Sequence, residues 1–521
     1  MPLRRFQIYA KLFEERGTCT LPTVYFYKEV HMTSLRRILY FTISVLLAAC
    51  TSHAGHNPEV PTQIAKSAPS KAENPVPTPL PAKPGTLSDS VPVGVWKGTS
   101  KGNLLLPLDP LSGEPLSDYE PISMGQALFS AYSPDNQTLA VVGFVSGDHP
   151  HGGSLHLIDL KTWDDQVQEL QLDGYVNAIS FSPDGKQLGI AYGNAESQLI
   201  VLDVSKPFLK STSAVRQNSL GFLVYKMKFT SDGSGLMVYG SKIENRYTVN
   251  EMSPDPPISV LLNSADLSVR WTADLAGIHH GILPKDEKSA SSDLFEPGQA
   301  IYLFPGLAFD SDRDILYVVH ADEDKLTRVD FASQQITTAD IKPRLSWFER
   351  ILSLGTIKAH AKVAEGTSKS AVISPDGQFL YIVGQRSELG KTTGNETQVN
   401  NIPLGLQIVR TKDGSCVAHY DTDAQELSIS ADGRYLYLRS WGTSPEIART
   451  EIFDTSTNQI VSLMDGMWLV PARRVDGSPI LGSNVWMNDK NINHNSIVDP
   501  QNFSVLSEWV GSDSITWSPT P

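Results

Sequence analysis

The reactive side chains of this chain gather in a few short clusters, and each cluster would serve one kind of chemistry. Gly98-Thr99-Ser100-Lys101-Gly102 has the G-x-S-x-G spacing in which a strained turn presents a serine for acyl transfer. Such a turn must join a strand to a helix, and here extended sequence stands on both sides, so an ordinary loop is expected. Asp310-Ser311-Asp312-Arg313-Asp314 spaces three carboxylates like the first ligands of a calcium loop. Ile315 stands where that loop needs glycine, and Ala321 where it needs a closing carboxylate, which makes a hairpin turn the better reading. His149-Pro150-His151 with His156, and the pair His279-His280, offer imidazoles in loops, but their spacing matches no helical or thiolate-assisted metal motif. On the sequence, then, no metal, no cofactor and no catalytic residue is assigned.

The thiols are more informative. Arg36 and Arg37, the apolar run Ile38 to Leu47 and the small residues Ala48-Ala49 lead into Cys50. A basic start, a short apolar stretch and a small-residue end make a secretory signal, and the run is too short for a stable membrane span. Leu47-Ala48-Ala49-Cys50 resembles the lipobox of bacterial lipoproteins. That resemblance implies that Cys50 is acylated and becomes the first residue of the exported chain. The lipid would hold it on the outer side of the cytoplasmic membrane or in the outer membrane. By the same resemblance, Thr51 rather than Asp after the cysteine points to the outer membrane. Met32 is then the expected initiator, with residues 1–31 upstream of the true start. With Cys19 lost and Cys50 acylated, Cys416 has no partner for an internal disulfide and is expected to be a small buried apolar residue.

Three segments must position these groups. Residues 1–49 comprise the upstream extension and signal. Their loss removes seven Lys/Arg and three Asp/Glu and takes the formal charge from −14 to −18. So acidic a chain lacks the clustered cations that phosphate backbones require, which excludes nucleic acid as a partner. Residues 50–90 carry Pro58, Pro61, Pro69, Pro75, Pro77, Pro79, Pro81 and Pro84 among Ala, Lys, Ser and Thr. They read as a disordered, semi-rigid tether reaching roughly 100 Å at ~3.1 Å per residue. Residues 91–521 form the folded domain.

In that domain one unit recurs: an apolar strand, a tight turn containing Asp, a second apolar strand, and a third strand ending in a short polar residue. Turn aspartates fall at Asp135, Asp184, Asp232, Asp312, Asp376, Asp432 and Asp476, separated by 49, 48, 80, 64, 56 and 44 residues. Third strands end at Asp109, Asp159, Asp203, Asn263, Asp330, Thr411, Asp454 and Asp499. A period near 45 with insertions predicts an all-β fold, a β-propeller of four-stranded blades. Ala178-Ile-Ser-Phe-Ser-Pro-Asp-Gly-Lys-Gln-Leu-Gly-Ile-Ala-Tyr192 is the clearest copy, and such Ser-Pro-Asp-Gly hairpins resemble the bacterial YVTN and WD-type propeller families. Seven hairpins but eight third-strand ends leave eight blades or seven. Eight follows if Ser514 to Pro519 pairs with Val93 to Trp96, Asn103 to Asp109 and Glu114 to Tyr119, closing the ring from both ends. A short helix is expected at Arg344 to Gly355, where Leu345, Phe348, Ile351 and Leu352 recur at helical spacing.

Strand parity sorts the loops. First-to-second and third-to-fourth turns share one face and are expected to be tight. The other face receives Phe144 to Gly153, Ser241 to Pro257, Asp274 to Pro305, Lys342 to Ser368 and Gln385 to Pro403. Long loops in compact domains carry function disproportionately. The expected binding face therefore presents His149, His151, Arg246, Tyr247, His279, His280, Trp347 and His360. The expectation is a non-catalytic binding or assembly module of the cell envelope that holds a protein, peptide or glycan. The alternative is an enzyme of the lactonase or hydrolase type, which similar propellers include.

Overall fold

In a computed structural model of the chain, residues 85–517 are described, apart from 100–101, 145–150, 195, 206–215, 242–255, 285–299, 343–365, 394–395, 441–447, 488–491 and 512–514. All regular structure among the described residues is β. The chain enters with β1 (Pro92–Val93) and then lays down β2 (Val95–Thr99), β3 (Gly102–Leu106) and β4 (Ile122–Ser123) of blade one. Blade two is β5–β8 (Gln126–Tyr132, Thr138–Phe144, His151–Asp159, Asp164–Asp173), and blade three is β9–β12 (Val176–Phe181, Gln187–Tyr192, Gln198–Asp203, Arg216–Ser219). Blade four is β13–β16 (Leu223–Phe229, Gly235–Ser241, Ile258–Asn263, Val269–Asp274). After a hairpin, β17 (Gly281–Pro284) and β18 (Ala300–Phe304), comes blade five, β19–β22 (Gly306–Asp310, Ile315–Val319, Lys325–Asp330, Gln335–Asp340). Blade six holds β23 (Gly366–Ile373), β24 (Phe379–Thr393), β26 (Leu406–Arg410) and β27 (Cys416–Tyr420), with β25 (Glu396–Pro403) beside β24. Blade seven is β28–β31 (Glu426–Ile429, Tyr435–Ser440, Arg449–Asp454, Gln459–Asp465), and blade eight is β32–β35 (Leu469–Arg474, Pro479–Met487, Ile492–Val498, Val505–Gly511). The last strand, β36 (Ile515–Trp517), returns to blade one. The fold is an eight-bladed β-propeller.

A repeated local device makes each inner hairpin. Ser182 donates its hydroxyl to Asp184 at 2.7 Å, and the same carboxylate oxygen accepts the Lys186 amide. Ser133–Asp135, Thr230–Asp232, Ser374–Asp376 and Ser430–Asp432 repeat the contact. The residue after the aspartate must turn left-handed, and Gly185, Gly233, Gly377 and Gly433 do so at φ between 67° and 74°. Blade five departs from the pattern. Its bonding acid is Asp310, which accepts from the Arg313 amide and guanidinium, rather than the expected Asp312. The three aspartates from 310 to 314 thus belong to a hairpin, as their sequence context implies.

The third-to-fourth turns have a second device. Asp159, Asp330, Asp454 and Asp499 each accept an amide two or three residues on. Four residues after each of them a side-chain-bearing residue goes left-handed: Trp163, Gln334, Asn458 and Phe503 at φ 57° to 60°. In blade six the left-handed residue is Gly414, so the equivalent third-strand end is Arg410 and not Thr411. The Thr411 hydroxyl instead donates to the Gly377 carbonyl of the neighbouring hairpin.

Apolar side chains alternate to the two faces of each blade and pack against the blades on either side, as in the cluster of Leu155, Leu188 and Ile190 between blades two and three. Leu87, ahead of β1, already packs with Val91, Leu160 and Trp163. Closure uses both termini, but differently from expectation. β36 pairs with β2 as foreseen, yet blade one takes its outer strand from Ile122–Ser123, and Glu114 to Tyr119 lie in the connection before it. Pro92 and Val93 leave blade one altogether and pair with Arg474 and Arg473 of blade eight. Two further expectations change. Gln385 to Pro403 is not a loop but a two-stranded ribbon in which β24 outruns its blade and pairs with β25. The opposite face is not uniformly tight, since residues 107–121 form a long third-to-fourth connection there. The helix expected at Arg344 to Gly355 lies outside the described residues, as do Cys50, the signal and most of the tether.

Candidate functional site

First strands start on the long-loop face and turn their inner edges to the central channel, although β18 covers the start of β23 and β1 the end of β32. Seven of the eight are apolar, small or polar through their middles apart from one lysine, Lys369 of β23. The exception is β13, Leu-Val-Tyr-Lys-Met-Lys-Phe, whose alternation is broken by Lys226 and Lys228. A bulge between Val224 and Lys226 sends Met227 and Phe229 toward blade three and lets Lys226 lean toward blade five. There its Nζ donates at 3.0 Å to the carbonyl of Leu307, on the unpaired edge of β19. From blade six, Lys369 sets its Cβ beside Gly306 at the start of β19 and donates to the Glu323 carbonyl of the β20–β21 turn at 3.2 Å.

Burial lowers all three ammonium groups from the ordinary lysine value, Lys226 to about 8 with repulsion from Lys228 as the second cause. For Lys369 the acidic groups Asp324 and Asp322 oppose the effect of burial. Among the described residues no carboxylate pairs with Lys226 or Lys228, and each keeps partial exposure.

Beside the lysines, at the mouth, sits an aromatic cluster. The His280 ring stacks on Tyr225 at 4.1 Å between centroids, and Phe304 meets it edge-on at 5.8 Å. Its Nδ1 lies 3.0 Å from the Tyr239 hydroxyl. Burial pushes His280 down to about 3 and Tyr239 well above the ordinary phenol value, so both are neutral near pH 7. His279 turns the other way and pairs with Asp322 at 2.6 Å, tying this connection to the β20–β21 turn. The β17–β18 hairpin then bridges blades, because β18 runs parallel to the start of β23, Tyr302 opposite Gly366.

Of the eight residues expected on the binding face, the structure brings only His279 and His280 together here. His149, Arg246, Tyr247, Trp347 and His360 lie outside the described residues, and His151 begins β7 with no described side-chain environment. Sequence reasoning missed Tyr225, Lys226, Lys228, Tyr239, Phe304 and Lys369. The two lysines at alternate positions of a first strand were the available signal.

A second polar arrangement carries an enzyme's geometry. Ser154 Oγ lies 3.0 Å from His156 Nε2, and His156 Nδ1 lies 2.8 Å from Asp165 Oδ2, the connectivity of a hydrolytic triad. However, Ser154 sits within β7, between Gly143 of β6 and Glu169 of β8, so the surrounding amides are engaged in ladders. The described residues around it thus offer no pair of unengaged ladder amides to a developing oxyanion. The network ties β7 to β8. Ser100 of the G-x-S-x-G stretch lies outside the described residues, and the stretch falls between two antiparallel strands, β2 and β3, rather than between a strand and a helix. Cys416 is buried, with Sγ 3.2 Å from the Ala418 carbonyl.

No family model matches the chain, and no curated protein matches its sequence. Solved structures are similar to it in part. Dihydro-heme d1 dehydrogenase NirN in complex with DHE superposes with a TM-score of 0.49 at 13% identity, over 84% of this chain and 78% of that one. The hydrazine synthase of Kuenenia stuttgartiensis gives 0.38 at 13% identity, over 71% and 95%. The Cps50 (Swd1) β-propeller domain of Myceliophteria thermophila gives 0.37 at 11% identity, over 69% and 96%. Fold and mouth together define a β-propeller module.

Proposed function

We propose that the chain is an exported lipoprotein of the bacterial cell envelope, anchored through Cys50, whose propeller is a non-catalytic binding or assembly module. Its long-loop face holds a protein, peptide or glycan of the envelope. The observation that carries this reading is the mouth over blades four to six. There Tyr225, His280 and Phe304 cluster where a bridging hairpin and a two-stranded ribbon also project. Aromatic side chains that are rigid and partly exposed supply most of the energy of binding surfaces.

The test has an anchor arm and a face arm. Wild-type chain incorporates radiolabelled fatty acid, and Cys50→Ser does not; equal labelling removes the anchor from the reading. In capture from detergent-solubilised envelope, shortening the ribbon between Gln385 and Pro403 weakens recovery of the wild-type partner. Lys186→Ala, on an exposed hairpin of the opposite face, leaves recovery unchanged. Loss of capture by the Lys186 variant alone, with native circular dichroism in both, would reverse the assignment of faces.

A further inference from the structure

We propose that the long-loop end of the central channel is an oxyanion site. Lys226 and Lys228, with Lys369 from across β19, take a carboxylate or phosphate group of a small ligand. Charge is distributed unevenly between the outside of the ring and its lumen. The chain as a whole is acidic, at −14. Its outermost strands share that sign: β8 alone carries Asp164, Asp165, Glu169 and Asp173. The innermost strands reverse it. They hold Lys226, Lys228, Lys369, Arg473 and Arg474. Their two acids, Asp310 and Glu426, are already engaged by Arg313 and Arg439.

Cations brought into a confined channel lose hydration, and neighbouring like charges add repulsion. Lys226 suffers both and Lys228 the first, and neither has a carboxylate partner among the described residues. Their hydrogen-bonding capacity is also unfilled, because an ammonium has three donors and the described bond from Lys226 reaches one main-chain carbonyl. An oxyanion in the channel supplies the missing charge and acceptors together. An acidic exterior around a basic lumen focuses the field so that anions are stabilised only inside. The stacked Tyr225–His280 pair at the rim gives an adjacent flat apolar surface for the body that carries the charge. This site lies in the channel, so it stands or falls separately from capture of a partner on the surrounding loops.

The experiment is calorimetric titration of the full-length chain in detergent with inorganic phosphate and, separately, with citrate, at low ionic strength. Saturable binding of at least one anion is expected. The stronger anion identifies the headgroup class. Lys226→Met/Lys228→Met should weaken that binding at least tenfold and Lys369→Met severalfold, whereas Lys161→Met, on the outer surface, should leave it unchanged. The double variant should fold at least as well as wild type, because it removes two desolvated like charges. Its thermal midpoint should match or exceed the wild-type value without anion and should no longer rise when phosphate or citrate is added. Absence of saturable binding of both anions to wild type, or unchanged affinity in the double variant, overturns the proposal.

Discussion

At the scale of single residues, the mouth is built from groups held neutral or unpaired by burial, and that has consequences in pH. His280 titrates near 3 in the folded chain because burial disfavours its cation. In the unfolded chain an imidazole takes its proton near 6.5. Between those values the unfolded state binds the extra proton, so the contribution of His280 to stability is complete above about 6.5. It is lost progressively as the pH falls toward 3. The groups facing it are Tyr225, Tyr239 and Phe304, none of them charged at neutral pH, so no nearby acid offsets the loss. Wild type should lose on the order of 1–2 kcal/mol more than His280→Gln between pH 7 and pH 5. Glutamine keeps a hydrogen-bond partner for the Tyr239 hydroxyl and carries no titration. Urea denaturation of both proteins at the two pH values measures the difference, and parallel losses would show that His280 is not buried in solution.

Among the elements, the turns were legible from sequence and the ribbon was not. Ser182-Pro-Asp-Gly185 states its own geometry: hydroxyl, acid and glycine all act within four residues, so the hairpin follows without knowledge of the rest of the chain. Gln385 to Pro403 has no apolar alternation to announce a strand. Its strand character comes from pairing with β25, which local composition does not encode. Lys226 was legible only as an anomaly of pattern, for a related reason. A lysine on an innermost strand and a lysine on an exposed edge look the same until the ring is closed.

The third-to-fourth turns contain a correctable cost. Gln334 is exposed yet adopts φ 57°, a conformation that costs a residue with a Cβ roughly 1 kcal/mol and glycine little. Gln334→Gly should therefore stabilise the chain by about 0.5 kcal/mol, the relief of strain exceeding the added freedom of the unfolded state. Thr337→Gly, in the extended β22, should destabilise by a similar amount. If chemical denaturation ranks the two variants in the opposite order, the left-handed turn is not the solution conformation.

For the whole molecule, the ring is secured by an exchange between its ends. The C-terminal β36 supplies the innermost strand of blade one, while the N-terminal β1 adds to the innermost strand of blade eight. Each terminus is thus paired into the blade built from the other end of the chain, and the inner edge of β2 is covered. Trp517 is the side chain on which this depends. It is 4% exposed and packs with Val95 and Leu106 of blade one and Ile480 and Ile497 of blade eight, its ring lying over Gly482, where no side chain competes for the space. Trp517→Ala should cost ~3 to 5 kcal/mol, the range for losing a large buried aromatic. Removal of residues 515–521 should cost more, since the edge of β2 and the apolar surface of blades one and eight then face water together. Val93→Asp, which places a carboxylate where Val93 is fully buried at the same junction, should also lower the thermal midpoint. Midpoints that fall for Trp517→Ala but stay at the wild-type value for both Val93→Asp and the truncation would mean that Trp517 fills a local cavity and the termini do not close the ring.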